Sequence, residues 1–177
     1  APHYPQDIYG ATKAFNEVAA SYYHDRHKVD ITGIRYMYVY GAGQGQGFFG
    51  PIIRELIVNP AIGKPGRVPY GDALIGWSYV DDSARATVMA SKKMSMKTKT
   101  FSMMGDVRSV HDVADYVKQL LPDSEITVLP GTFRSSPVKF DTSAIENEIG
   151  YTPNWSMERG VKKTINTVRM EHGFDPV

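Results

Sequence analysis

The chain has 177 residues, 42% hydrophobic and 22% charged, a balance that suits a globular chain with a core of its own. Twenty Lys and Arg against nineteen Asp and Glu leave a formal charge of +1, so bulk electrostatics gives no reason to expect nucleic acid or an anionic membrane as partner. Cysteine is absent, which excludes disulfides, thiolate catalysis and cysteine metal sites and is compatible with a cytoplasmic setting. No apolar run approaches the roughly 18 residues expected of a membrane span. The chain opens on Ala1 with no basic-then-apolar leader pattern, which is compatible with a processing site, an expression boundary or a cut.

In chain order, Ile8, Ala11, Phe15, Val18, Ala19, Tyr22 and Tyr23 recur at three- and four-residue spacing from Asp7 to His27 and predict a long helix with one buried stripe. "DITGIRYMYVYG" (30–41) predicts a strand running into a Gly/Gln loop, and Pro51 opens a short helix to Val58. The Pro- and Gly-rich stretch 59–72 predicts a surface loop with one short strand. "IGWSYV" predicts a strand feeding "DDSARATVMAS", a helix that Asp81 can cap. "KTFSMM" reads as a strand, and Ser109 with Asp112 opens the next helix in the manner of a capping box. A strand at 125–129, a short helix near 142–149 and an amphipathic helix after Ser156 complete an α/β pattern. There is no internal repeat. The lysines of "KKMSMKTKT" (92–100) read as a solvated loop, and His24 and His27, without a third ligand, read as cations near a helix end rather than a metal site.

Tyr9 and Lys13 stand four apart in "YGATK", on one face of the first helix. An ammonium beside a phenol favours its ionised form, which suits proton exchange with a hydroxyl or carbonyl near neutral pH. The spacing alone is a weak signal. Its company is not: "YGATK" with Glu17 downstream, "GIRYMYVYGAGQ", "GDALIGWSYVDDSARA" and "DTSAIENEIGYTPNWSMERGVKKTI" follow in order. Together they resemble the extended short-chain dehydrogenase/reductase superfamily, the NAD-dependent epimerase/dehydratase family, over essentially the whole chain.

The resemblance implies the C-terminal half of such an enzyme: the closing part of a Rossmann-like, doubly wound parallel sheet with a small mixed α/β substrate-binding part. Residues 1–98 would end the Rossmann-like domain, with substrate loops inserted at about 42–76, and residues 99–177 would be mostly substrate-binding. A dinucleotide-binding N-terminal half is then missing. It implies NAD or NADP as cofactor, with NAD favoured, and Tyr9 as the acid/base of hydride transfer with Lys13 assisting it and holding the nicotinamide ribose. Tyr36 and Met37 would pass the nicotinamide edge. Tyr38, Trp77 and Arg134 are the substrate candidates, Trp77 lying either at the cleft or in the core.

Many sugar-nucleotide enzymes of the family carry asparagine where Tyr38 stands, and an arginine near the place of Ile75; both departures weaken a standard sugar-nucleotide reading. "GQGFFG" (45–50) matches G-x-G-x-x-G literally, but it hangs from a loop after "YGAG", has two phenylalanines where a pyrophosphate would lie, and matches the family's substrate loop. The expected activity is epimerase, dehydratase or dehydrogenase on a sugar, sugar nucleotide or similar hydroxylated substrate, in a homodimer of the family's kind with no nucleic acid and no membrane. The alternatives are a non-catalytic NAD(P)-binding regulator and a dimerisation module of the same fold.

Overall fold

The computed structural model describes residues 5, 7–43, 47, 49–97, 99–132 and 140–177. They form two compact units, each drawn from three separated stretches. The first comprises Ala1–Arg35, Ala86–Met103 and Asp141–Thr152; the second comprises Tyr36–Arg85, Met104–Phe140 and Pro153–Val177.

In the first unit, helix α1 (Ile8–His27) starts where extended Asp7 accepts the Gly10 N–H at 2.6 Å. It ends where Lys28 turns left-handed at φ 56° and returns its N–H to the His24 carbonyl, with His24, Arg26 and His27 in the last turn complementing the helix dipole. Strand β1 (Gly33–Arg35) pairs in parallel with β5 (Thr100–Ser102), Ile34 opposite Phe101. The unit's core gathers Phe101, Met103, Ile145, Ile149 and Tyr151 with Ala86 and Ala90. Ile145 and Ile149 come from a single wide helical turn, Ile145–Ile149, closed by Gly150 at φ 78°.

The single buried stripe expected of α1 is corrected here. No described residue of α1 is buried, and the large apolar side chains point outward, with Ile8 82% and Phe15 70% exposed. The half-covered residues are instead Gly10, Ala14, Glu17, Ala19, Ala20 and His24.

In the second unit, β2 (Tyr38–Tyr40) runs parallel to β4 (Leu74–Tyr79), and β6 (Asp106–Ser109) pairs with β4 antiparallel. A separate parallel pair joins β3 (Gly66–Val68) to β7 (Ile126–Val128). Five of the six β4 residues are buried, as expected for a central strand covered on both faces. Helical chain runs through α2 (Gly50–Ile53), the wide turn Arg54–Val58 and α3 (Asn59–Ala61), placing Ile53, Leu56 and Ile57 in the core. Opposite them lie Val113 and Val117 of α5 (Val110–Leu120) and Val161 and Ile165 of α6 (Met157–Glu171). Helix α4 (Val80–Ser91) follows β4 directly.

Three further expectations change. The stretch 30–41 is two short strands in different sheets, interrupted at Tyr36 and Met37. Asp81 lies inside the first turn of α4, which begins at Val80, and does not cap it. Strand β6 went unpredicted because "DVRS" shows no apolar alternation; its place is set by its neighbour. At Gly105 an added Cβ would lie 1.9 Å from the Trp77 carbonyl oxygen, so only glycine allows that approach. The capping box at Ser109 and Asp112 forms as expected, and Ser156 caps α6.

Asp82, 2% exposed, joins two separated stretches of this unit. Its carboxylate accepts the N–H groups of Asn154 (2.9 and 3.1 Å) and Trp155 (3.0 Å) and a bond from Arg85 (3.0 Å). Asp82→Ala leaves these donors without their acceptor and is expected to lower stability by about 2–4 kcal/mol in urea unfolding. At Asp112 the Ser109 N–H and hydroxyl hold the carboxyl below its ordinary value of 3.8. A depressed acid stabilises the fold above its unfolded pKa and ceases to do so as pH falls through the folded one. The stability gap between the natural chain and Asp112→Asn should therefore be present at neutral pH and close as pH falls below that ordinary value, measured by urea unfolding across the acid range.

Candidate active site

Tyr9 sits in the first turn of α1, two residues after the Asp7 cap, and is 71% exposed. Lys13 lies one turn further, its Nζ 5.0 Å from the centre of the Tyr9 ring. The Tyr9 carbonyl accepts the Thr12 hydroxyl at 2.7 Å. Phenol and ammonium are thus adjacent, on a regular helix, with solvent access for a ligand.

One turn beyond, a feature that sequence reasoning passed over engages Glu17. Arg35 Nε donates to Glu17 Oε1 at 2.7 Å and its Nη2 to Oε2 at 2.5 Å, a two-pronged pair that raises the Arg35 pKa from its ordinary value, mainly through that hydrogen bonding. The acidic residue was noticed in the motif; its partner is 18 positions away on a strand, and no spacing rule connects the two.

The remaining candidates belong to the second unit. Tyr36 is exposed and Met37 half-buried in the break between β1 and β2. Tyr38, half-buried on β2, packs its ring 4.6 Å from that of Phe49, and burial raises its pKa. Trp77 stands opposite Tyr38 in the β2–β4 register and touches the same Phe49 at 5.3 Å. Only 1% of it is exposed, and its indole N–H donates to the Arg108 carbonyl at 3.1 Å, so Trp77 offers no surface to a substrate and takes the core position that the sequence left open. Ile75 is equally buried. Arg134 lies outside the described residues, as do Gln44–Gln46 and Phe48 of the glycine-rich stretch. No group of three or more potential metal ligands occurs among the described residues, and none of their helices is long and apolar enough to cross a membrane.

A parallel Rossmann-like arrangement with a Tyr/Lys pair on a helix defines the dehydrogenase/reductase class of fold. Residues 1–103 match the NAD dependent epimerase/dehydratase family, and the chain belongs to that family. It is similar to a mitochondrial L-threonine 3-dehydrogenase of Bos taurus, 25% identical over 181 residues, covering 97% of this chain and 47% of that protein. It is also similar to a UDP-glucuronate 4-epimerase of Thermodesulfobacterium geofontis, 26% identical over 168 residues, covering 92% of this chain and 50% of the relative. Among solved structures, a partial-consensus L-threonine 3-dehydrogenase superposes with a TM-score of 0.83 at 18% identity, over 94% of this chain and 58% of the other, which supports the Rossmann-like fold. The chain spans about half the length of the curated relatives it matches.

If Trp77 is a core residue, Trp77→Phe should act on stability. The loss of volume and of the bond to Arg108 predicts a cost of roughly 1.5–3 kcal/mol in thermal or urea unfolding. Substrate KM in the full-length protein should stay within about twofold of the natural value.

Proposed function

We propose that the chain is part of an NAD-dependent epimerase/dehydratase or dehydrogenase that acts on a secondary hydroxyl of a sugar, a sugar nucleotide or a similar hydroxylated compound. The observation that carries this reading is the Tyr9–Lys13 pair, exposed on a capped helix with the ammonium 5.0 Å from the ring. Bound nicotinamide would supply a two-electron hydride acceptor. The residues fit such a group: an exposed ammonium can donate to ribose hydroxyls while an adjacent phenol faces the substrate.

In the oxidative direction, the hydroxyl proton passes to the Tyr9 oxygen as the carbon gives up its hydride, and the electron pair of the O–H bond becomes the second C–O bond of the carbonyl. In the reverse direction Tyr9 returns the proton. Lys13, whose Nζ lies beside the Tyr9 ring, orients the ribose. Return of the hydride to the same carbon on its other face gives an epimer; loss of the reduced cofactor gives net dehydrogenation. Tyr36 and Met37 are assigned to the nicotinamide edge, and Tyr38 and Arg134 to the substrate. Tyr38 and the buried Ile75, in place of polar or basic groups, favour a compact hydroxylated substrate over a standard sugar nucleotide. The names of the relatives, one a threonine dehydrogenase and one a sugar-nucleotide epimerase, accommodate both.

The outward apolar side of α1 supports self-association as a second feature of the same protein. The reading applies to a full-length protein in which a dinucleotide-binding half accompanies these residues. In that protein Tyr9→Phe is expected to lower kcat by about 10²–10⁴-fold and leave NAD affinity within a few-fold, by steady-state kinetics and calorimetry. Unchanged turnover would remove Tyr9 from the chemistry.

A further inference from the structure

The second phenylalanine of "GQGFFG", Phe49, packs onto one face of the β2–β4 pair. In that register Tyr38 stands beside Trp77 and Tyr40 beside Tyr79, and residues two apart on a strand share a face. The four aromatic rings therefore form one layer, in which Tyr40 lies 5.6 Å from both Trp77 and Tyr79. Phe49 covers it at 4.6 Å from Tyr38 and 5.3 Å from Trp77. The surroundings are fixed. The Trp77 indole donates to the Arg108 carbonyl at 3.1 Å and the Tyr40 hydroxyl to the Met157 carbonyl at 3.2 Å, while the Phe49 carbonyl accepts the Ile53 N–H at 3.1 Å and ties its backbone to α2. Tyr40 and Trp77 are 1% exposed, Tyr79 6% and Phe49 7%, whereas Tyr38 is half-buried. Tyr38 is thus the member of the layer that reaches solvent, and the buried Phe49 ring lies against its covered side.

We propose that Phe49 is a positioning residue for the substrate wall: its ring is the fixed backing of Tyr38 and sets how far that phenol stands out toward the substrate. The inference rests on the reading of Tyr38 as a substrate residue and adds the group that gives this wall its shape. Phe49 need not be the phenol's sole contact; what it supplies is volume. Close-packed aromatic rings leave no room for a neighbour to move inward. With Phe49 in place Tyr38 cannot yield to a bulky substrate, and the wall becomes a limit on substrate size. Without that ring the layer has a gap next to Tyr38, where water and a larger substrate both gain room.

The test uses the full-length protein with Phe49→Ala, Phe49→Leu and Tyr38→Ala. Two readouts are taken: nitration of tyrosines by tetranitromethane, followed by peptide mass, and NAD-dependent oxidation of two probes, glycerol as a compact polyol and UDP-glucose as a sugar nucleotide. In Phe49→Ala, Tyr38 should be nitrated roughly fivefold faster with Tyr40 unchanged, and the kcat/KM ratio of UDP-glucose to glycerol should rise about tenfold, mainly through KM. Phe49→Leu keeps most of the volume and should stay within about threefold of the natural protein in both readouts. Equal nitration of Tyr38 in every Phe49 form overturns the proposal. So does nitration of Tyr40 as fast as that of Tyr38, which would make Phe49 a support of the whole layer. If Phe49→Ala does not fold, Phe49→Val takes its place with the same outcomes. Where neither probe is oxidised, nitration alone decides. A ratio indifferent to Tyr38→Ala overturns the substrate reading of Tyr38; nitration then still decides whether Phe49 sets its position.

Discussion

A carboxylate taken out of water has to be supplied with hydrogen-bond donors, and the second unit is arranged around one such demand. Asp82 is satisfied by two backbone N–H groups from the segment before α6 and by Arg85 in its own helix. The two backbone donors are more than seventy residues away in sequence. Once they are in place, the Trp155 ring lies 4.4 Å from Tyr79 at the end of β4, and Ser156 can cap α6. Asp106 repeats the device a few residues on, accepting the Met157 N–H at 3.2 Å while pairing with Arg108. Tyr40, buried against this region, donates its hydroxyl to the Met157 carbonyl at 3.2 Å, and burial raises its pKa. The start of α6 is therefore fixed by an acid of α4 and by an acid and a phenol of the sheet, and its apolar side, Val161 and Ile165 included, faces the core.

Much of this was legible in the sequence where the cause is local. Caps and the capping box depend on residues three apart, and Asp7, Ser109 and Ser156 sit at or beside the helix starts that their types announce. The class of fold followed from alternating strands and helices, and the family from the order of four motifs. What escaped depends on partners far along the chain. "DITGIRYMYVYG" looks like one strand because its residues suit a strand throughout; its division follows from β1 finding β5 and β2 finding β4. "DVRS" becomes a strand because β4 offers it an edge.

The site divides in the same way. Tyr9 and Lys13 meet because a helix brings residues four apart together, so their contact could be read directly from spacing. The buried state of Trp77 depends on Phe49 and on Arg108, neither of which spacing connects to it. The α1 stripe shows a third case: periodicity correctly marks a side of the helix, yet it carries no information about whether the chain itself covers that side.

Tyr9 occupies the second position of a helix, and helix ends fray. The proximity of phenol and ammonium is then a fraction of time, and its value is governed by the bond from Gly10 to Asp7 at 2.6 Å, which holds the first turn closed. A residue outside the pair thereby acts as the thermostat of their contact. As temperature rises, the Tyr9–Lys13 geometry would melt locally, at the first turn, before either compact unit loses its core.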